Sequence, residues 1–212
     1  MSTIRSAYLV AAASAADLLR DPAVARSWGS PSALAGFSVG GLAAHLAGQV
    51  LFVPETLAMP GPEGEVVPLL GHYERVTWIG ADLDAEVNVA IRSSGEAGAA
   101  DGPDRLVGQV VDALDRLREA LPAEPADRLV RPPAGPWALR LDDFLTTRMM
   151  EIAVHSDDLA VSVGVPTPTL PSAVVDPVLA LLTQLAVRRH GATGLLRALS
   201  RAERAPATVA AF

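Results

Sequence analysis

Apolar residues recur along most of this chain at helical spacing. Ile4, Leu9, Ala12, Ala16 and Leu19 predict a first helix over Thr3–Leu19, which Asp21-Pro22 ends. Val24 to Ala35 reads as a connection. Ser38 is placed to cap a second helix over Val39–Thr56, with Leu42, His45, Leu46, Gln49, Phe52 and Val53 on one face. Met59–Pro68 is a Pro- and Gly-rich loop. Leu69–Gly80 shows no period; its His72, Tyr73, Arg75 and Trp78 suit a pocket wall or an ordinary surface with one buried Trp. Leu83, Val87, Ala90 and Ile91 predict a helix over Asp82–Ser94, broken by Gly95–Gly102.

Pro103 opens the next helix, which carries Leu106, Val107, Val110, Leu114 and Leu117 inward and reaches Leu121. Pro122–Pro136 is extended, and Trp137–Leu141 alternates as a short strand would. Asp142 and Asp143 suit the N-terminus of a long helix that runs to about Ser162 and closes at Gly164-Val165-Pro166. A further helix spans Ser172–Arg189 and a short basic one Leu195–Arg204. The tail, Ala205–Phe212, is expected to be loosely held. Four principal helices with long connections predict an all-α, up-and-down bundle. We expect the bundle to occupy residues 1–165, with 166–212 as a helical extension packed on it.

Composition narrows the chemistry. The chain has 212 residues, enough for one sizeable core, and 50% hydrophobic residues but only 4% aromatic ones, so Ala, Leu and Val must fill that core. It has no cysteine, which excludes disulfides, thiolate ligands and a cysteine nucleophile. A net charge of −7 without a basic cluster argues against a nucleic-acid surface. No stretch reaches the roughly 20 apolar residues of a membrane span. These features lead us to expect a cytoplasmic protein, monomer or homodimer, without nucleic-acid or membrane partners.

The unusual stretch is Thr146–Leu159. On a helix, Glu151 and His155 stack one turn apart, with Arg148 and Asp158 one turn to either side. Buried charges need a partner or a metal. His45 lies on another apolar face, so His45, Glu151 and His155 are candidate ligands of a divalent ion: zinc first, with nickel, iron or manganese as alternatives. Asp158 and Arg148 are candidate catalytic groups, orienting ligands or, for Arg148, holding a substrate carboxylate. A plain ion pair of Glu151 with His155 or Arg148, a core His45, a solvent-facing Asp158, and Arg148 paired with Glu151 or Asp143 fit the same residues.

Two motifs carry a resemblance. Thr147-Arg148-x-x-Glu151-x-x-Val154-His155-x-x-Asp158-Leu159-Ala160, with Ser38-Val39-Gly40-Gly41-Leu42-x-x-His45-Leu46 upstream, resembles the mycothiol-dependent maleylpyruvate isomerase N-terminal domain family, within the DinB-like bundle superfamily. The resemblance implies a DinB-like four-helix bundle holding a divalent metal, usually zinc, on the equivalents of His45, Glu151 and His155. It also implies a low-molecular-weight thiol, mycothiol in actinobacteria, as co-substrate. The thiol would add to a small electrophile, giving an isomerase or an S-transferase. The founding isomerases carry a further α/β domain, whereas the fewer than about fifty residues after Gly164 read here as helix. The alternative function is a non-catalytic bundle that binds a small ligand or partner, its metal structural or vestigial.

Overall fold

The computed structural model describes residues 2–212. Its helices are α1 (Thr3–Leu19), α2 (Pro22–Arg26), α3 (Val39–Ala58), α4 (Leu69–Tyr73), α5 (Glu86–Gly98), α6 (Pro103–Ala123), α7 (Leu141–Val163), α8 (Ser172–His190) and α9 (Ala192–Ser200). The fold is the all-α bundle that the hydrophobic pattern predicts. Helices α1, α7, α3 and α6 form a ring in which each packs on the next and α6 closes on α1. The core between them is made of small and branched side chains: Ala11, Ala12, Leu42, Leu46, Val50, Val110, Leu117, Leu145, Met149 and Ile152 are all fully buried. α8 lies against α1 and α7 through Val174, Val178, Leu181 and Leu185, and α5 lies against α3.

The helix ends have identifiable causes. Ser38 Oγ accepts from the Gly41 amide at 2.9 Å and starts α3. Gly164, at φ 72°, takes the left-handed conformation that ends α7, and the Val165 amide then donates to the Ala160 carbonyl at 3.1 Å.

Helix α5 departs from expectation, since it starts at Glu86 and continues through Gly95. Asn88 Nδ2 donates to the Ala81 and Asp82 carbonyls and holds that stretch as a turn, which leaves Leu83 exposed. Gly95 lies inside the helix, at a point where α3 approaches too closely for a Cβ. Phe52, placed on the inner face of α3 by its spacing, is 37% exposed. Helix α9 ends at Ser200, earlier than its composition suggests, because Arg201 leaves the helical region at φ −146° and ψ 87°. The tail is not loose at its end. His190 Nε2 donates to the Ala210 carbonyl at 2.8 Å, and Phe212 packs edge-on against Trp78 at 5.1 Å.

A small ladder positions the segment above the bundle. β1 (Leu129–Val130) pairs antiparallel with β2 (Leu139–Arg140), Leu129 opposite Arg140. On its other side Ala138 exchanges backbone hydrogen bonds with Glu65 and Val67, at 2.8 and 2.9 Å. The chain entering α4 is thereby tied to the chain entering α7, and α4 packs on α7.

Candidate metal centre

Helix α7 carries Glu151 and His155 one turn apart on the face that meets α3, and α3 presents His45 to them. The ligand atoms of these three residues all lie within 4.8 Å of one another. The rings of His45 and His155 meet nearly at right angles, 80°, with centroids 4.6 Å apart, and Phe37 packs on the other side of His45 at 5.7 Å. All three ligand candidates are half-buried. His155 is held at both nitrogens: Nε2 lies 3.1 Å from Glu151 Oε2 and Nδ1 lies 3.0 Å from Asp158 Oδ2.

The electrostatics follow from this arrangement. Burial works against charge on His155, but its hydrogen bonds to Asp158 and Glu151 win and raise its pKa to about 9. Burial also works against ionised Glu151, yet the hydrogen bond to His155 and the charges of His155 and Arg148 hold its carboxyl down at about 2. His45 is pushed down to about 4, by burial first and by the neighbouring His155 next. The cluster is thus an imidazolium between two carboxylates beside a neutral imidazole. A divalent ion there would take the place of one proton, that on His155 Nε2. The donor set fits such an ion: two imidazole nitrogens and a carboxylate from two helices, with Asp158 left to hold the Nδ1 proton and fix the tautomer.

Arg148 sits one turn before Glu151 but pairs with neither Glu151 nor Asp143. Its Nε donates to Thr147 Oγ1 at 3.0 Å, its Nη1 donates to Gln49 Oε1 at 2.6 Å, and its guanidinium lies over the Phe144 ring at 5.4 Å. Nη2 makes no hydrogen bond among the described residues. Gln49 ties this cation into α3, because its own Nε2 donates to the His45 carbonyl at 2.9 Å. Its backbone carbonyl accepts from the buried Tyr8 hydroxyl at 3.0 Å. Helical spacing puts Gln49 on the correct face without a role and gives Tyr8 none. Their only signal was a polar group amid apolar residues at helical spacing.

The five residues singled out from sequence therefore lie in one place. His45, Glu151 and His155 converge, Asp158 binds His155, and Arg148 is fixed one turn away as a cation without a carboxylate partner. His72 and Tyr73, in the segment whose structure the pattern did not settle, are buried in α4 beside the cluster and feel the charges of both Glu151 and Arg148.

The family model of the mycothiol maleylpyruvate isomerase N-terminal domain matches residues 9–160. The chain belongs to that family. The matched stretch contains all of α2 to α6, most of α1 and α7, and every residue of the cluster. No curated protein and no solved structure matches the chain significantly. The fold is the DinB-like bundle expected of the family, and no helix among the described residues is long and apolar enough to cross a membrane.

Proposed function

We propose that this chain is a metal-dependent enzyme that uses a low-molecular-weight thiol, mycothiol in the family, to isomerise or conjugate a small electrophile. One observation carries the reading: His45 from α3 meets Glu151 and His155 from α7, with Asp158 already holding the far nitrogen of His155. His45, Glu151 and His155 are the ligands in this reading, and zinc suits the donor set best, with nickel, iron and manganese as the other candidates. Bound there, the ion supplies a Lewis acid that lowers the proton affinity of a thiol or a water.

The chain's own groups do the rest. Asp158 keeps the proton on His155 Nδ1, which would leave Nε2 as the nitrogen available to hold the ion. Arg148, with Nη2 uncommitted, orients a substrate carboxylate. The chain offers no thiol of its own, so the nucleophilic sulfur must be brought in. A free thiol as co-substrate implies a reducing compartment, hence the cytoplasm. Residues 166–212 serve as an extension that buttresses the bundle through α8.

Elemental analysis of the purified protein, beside His45→Ala and His155→Ala, tests the reading. The expected result is about one metal per chain in the parent and none in either variant, with helical circular dichroism retained. Mycothiol consumption in the presence of an α,β-unsaturated carbonyl compound then tests the chemistry. Absence of metal after zinc and nickel are added to the protein would sink the catalytic reading.

A further inference from the structure

Beside the ligand cluster lies a hydroxyl that nothing in the fold satisfies. Tyr73, the last residue of α4, is only 6% exposed, and its oxygen is shut from solvent with no hydrogen-bond partner. Buried polar groups are nearly always paired, so an orphan of this kind calls for an explanation. Burial pushes its pKa well above the ordinary value, and the charge of Glu151 adds to that against the smaller opposing effect of Arg148. The group therefore remains a neutral O–H donor.

Its surroundings offer donors too. Trp137 Nε1 donates to His72 Nδ1 at 3.1 Å, which places the proton of the neutral His72 ring on Nε2. Burial, and then the charge of Arg148, push His72 down to about 4, so it stays neutral near pH 7. The His72 and Tyr73 rings pack edge-on at 5.0 Å. Arg148 adds a fixed cation with Nη2 free. A hydroxyl without an acceptor, within the field of a guanidinium that hydrogen-bonds to no carboxylate, suits an oxygen anion once a metal offsets the charge of Glu151.

We propose that Tyr73 contacts substrate: its hydroxyl donates to an oxygen of a carboxylate ligand whose charge is met by Arg148. This rests on the metal-centre reading for the place where the ligand's reactive end lies. Solvent reaches the ligand side, where Glu151 and His155 keep 15% and 13% side-chain exposure. The hydroxyl is shut from solvent, so contact with it requires α4 to shift when a ligand enters. This five-residue helix follows a Pro- and Gly-rich loop and is tied at its edge by surface pairs, Arg75–Glu65 and Arg188–Glu74.

The chain has two tyrosines, so protein labelled with 13C at the tyrosine Cζ gives two resonances, which Tyr73→Phe assigns. The probe is acetate, added to zinc-loaded protein, with calorimetry alongside. We expect the Tyr73 resonance to move saturably and that of Tyr8 to stay. Tyr73→Phe and Arg148→Met should each weaken acetate by roughly tenfold or more, with zinc content unchanged. Because Phe keeps the packing and removes an unsatisfied group, Tyr73→Phe should melt no lower than the parent. A stationary Tyr73 resonance, acetate affinity unchanged in Tyr73→Phe, no acetate binding at all, or a lower melting temperature would each overturn the proposal. Failure to load zinc would instead defeat the metal reading, and the same titration on zinc-free protein would still decide the role of Tyr73.

Discussion

Asp158 Oδ2 stands 3.0 Å from His155 Nδ1 and so determines which nitrogen of that ring can face Glu151 and His45. Both residues are on α7, three positions apart, so the helix itself sets the contact. Asp158→Asn keeps the shape and removes the charge. It should lower zinc affinity by roughly 10–100-fold, the usual cost of losing such a partner of a ligating histidine. Competition with a chromophoric chelator measures this. Equal affinity in the variant would show that Asp158 does not support the ligand.

His72 predicts a pH dependence of stability. Its pKa is about 4 in the fold against 6.5 for the free side chain, so between those values the unfolded chain binds more protons. Stability therefore rises with pH across that window and is lost as pH falls from about 6.5 towards 4; below about 4 both states are protonated and the loss stops growing. At pH 5 the cost amounts to about 2 kcal/mol. His72→Gln can still accept from Trp137 and should remove that component. His45 has a shift of the same sign and is present in both proteins, so the difference isolates His72. Urea unfolding at pH 7 and pH 5 reads it. Identical acid losses in parent and variant would refute the assignment.

Two glycines in helices should respond in opposite directions to alanine. A Cβ on Gly95 would stand 2.7 Å from the Gly41 carbonyl oxygen and 2.9 Å from a Phe37 ring carbon, so α5 and α3 would have to part. The overpacking costs about 1–3 kcal/mol, only partly offset by better helix propensity. On α6, a Cβ at Gly108 would meet nothing within 4 Å. Gly108→Ala should stabilise by up to about 1 kcal/mol. Thermal melts of the two variants, one below and one above the parent, check the pair.

These residues also show what the sequence could reveal. The long elements α1, α3, α6, α7 and α8 were legible because Ala- and Leu-rich periodicity persists over several turns, and caps such as Ser38 and Gly164 mark their ends. The convergence of His45 on α7 was legible only as a pair of motifs, since periodicity gives a face and not a partner. Turn chemistry at Asp82–Ala85 and a five-residue helix carrying His72 and Tyr73 leave no periodic signal. Gly95 reads as a breaker until the helix opposite it is known.

Arg5 is the largest omission and gives the last prediction. The hydrophobic pattern of α1 assigns it no role, yet the residue is only 3% exposed. Its Nε donates to Asp142 Oδ1 at 2.9 Å, and its Nη atoms donate to the carbonyls of Leu121, Glu124 and Pro125 at 3.3, 2.6 and 2.7 Å. One guanidinium thus satisfies a carbonyl of the last turn of α6 and two in the chain just beyond it, and anchors the start of α7. Arg5→Met keeps the apolar stem but leaves three carbonyls without their donor, and should cost about 3–5 kcal/mol. Asp142 keeps 33% side-chain exposure and can rehydrate, so Asp142→Asn should cost only about 1 kcal/mol. Urea midpoints of the two variants test this ordering. A mild effect of Arg5→Met would mean that water replaces the guanidinium at the end of α6, and that the ring of helices does not depend on this contact.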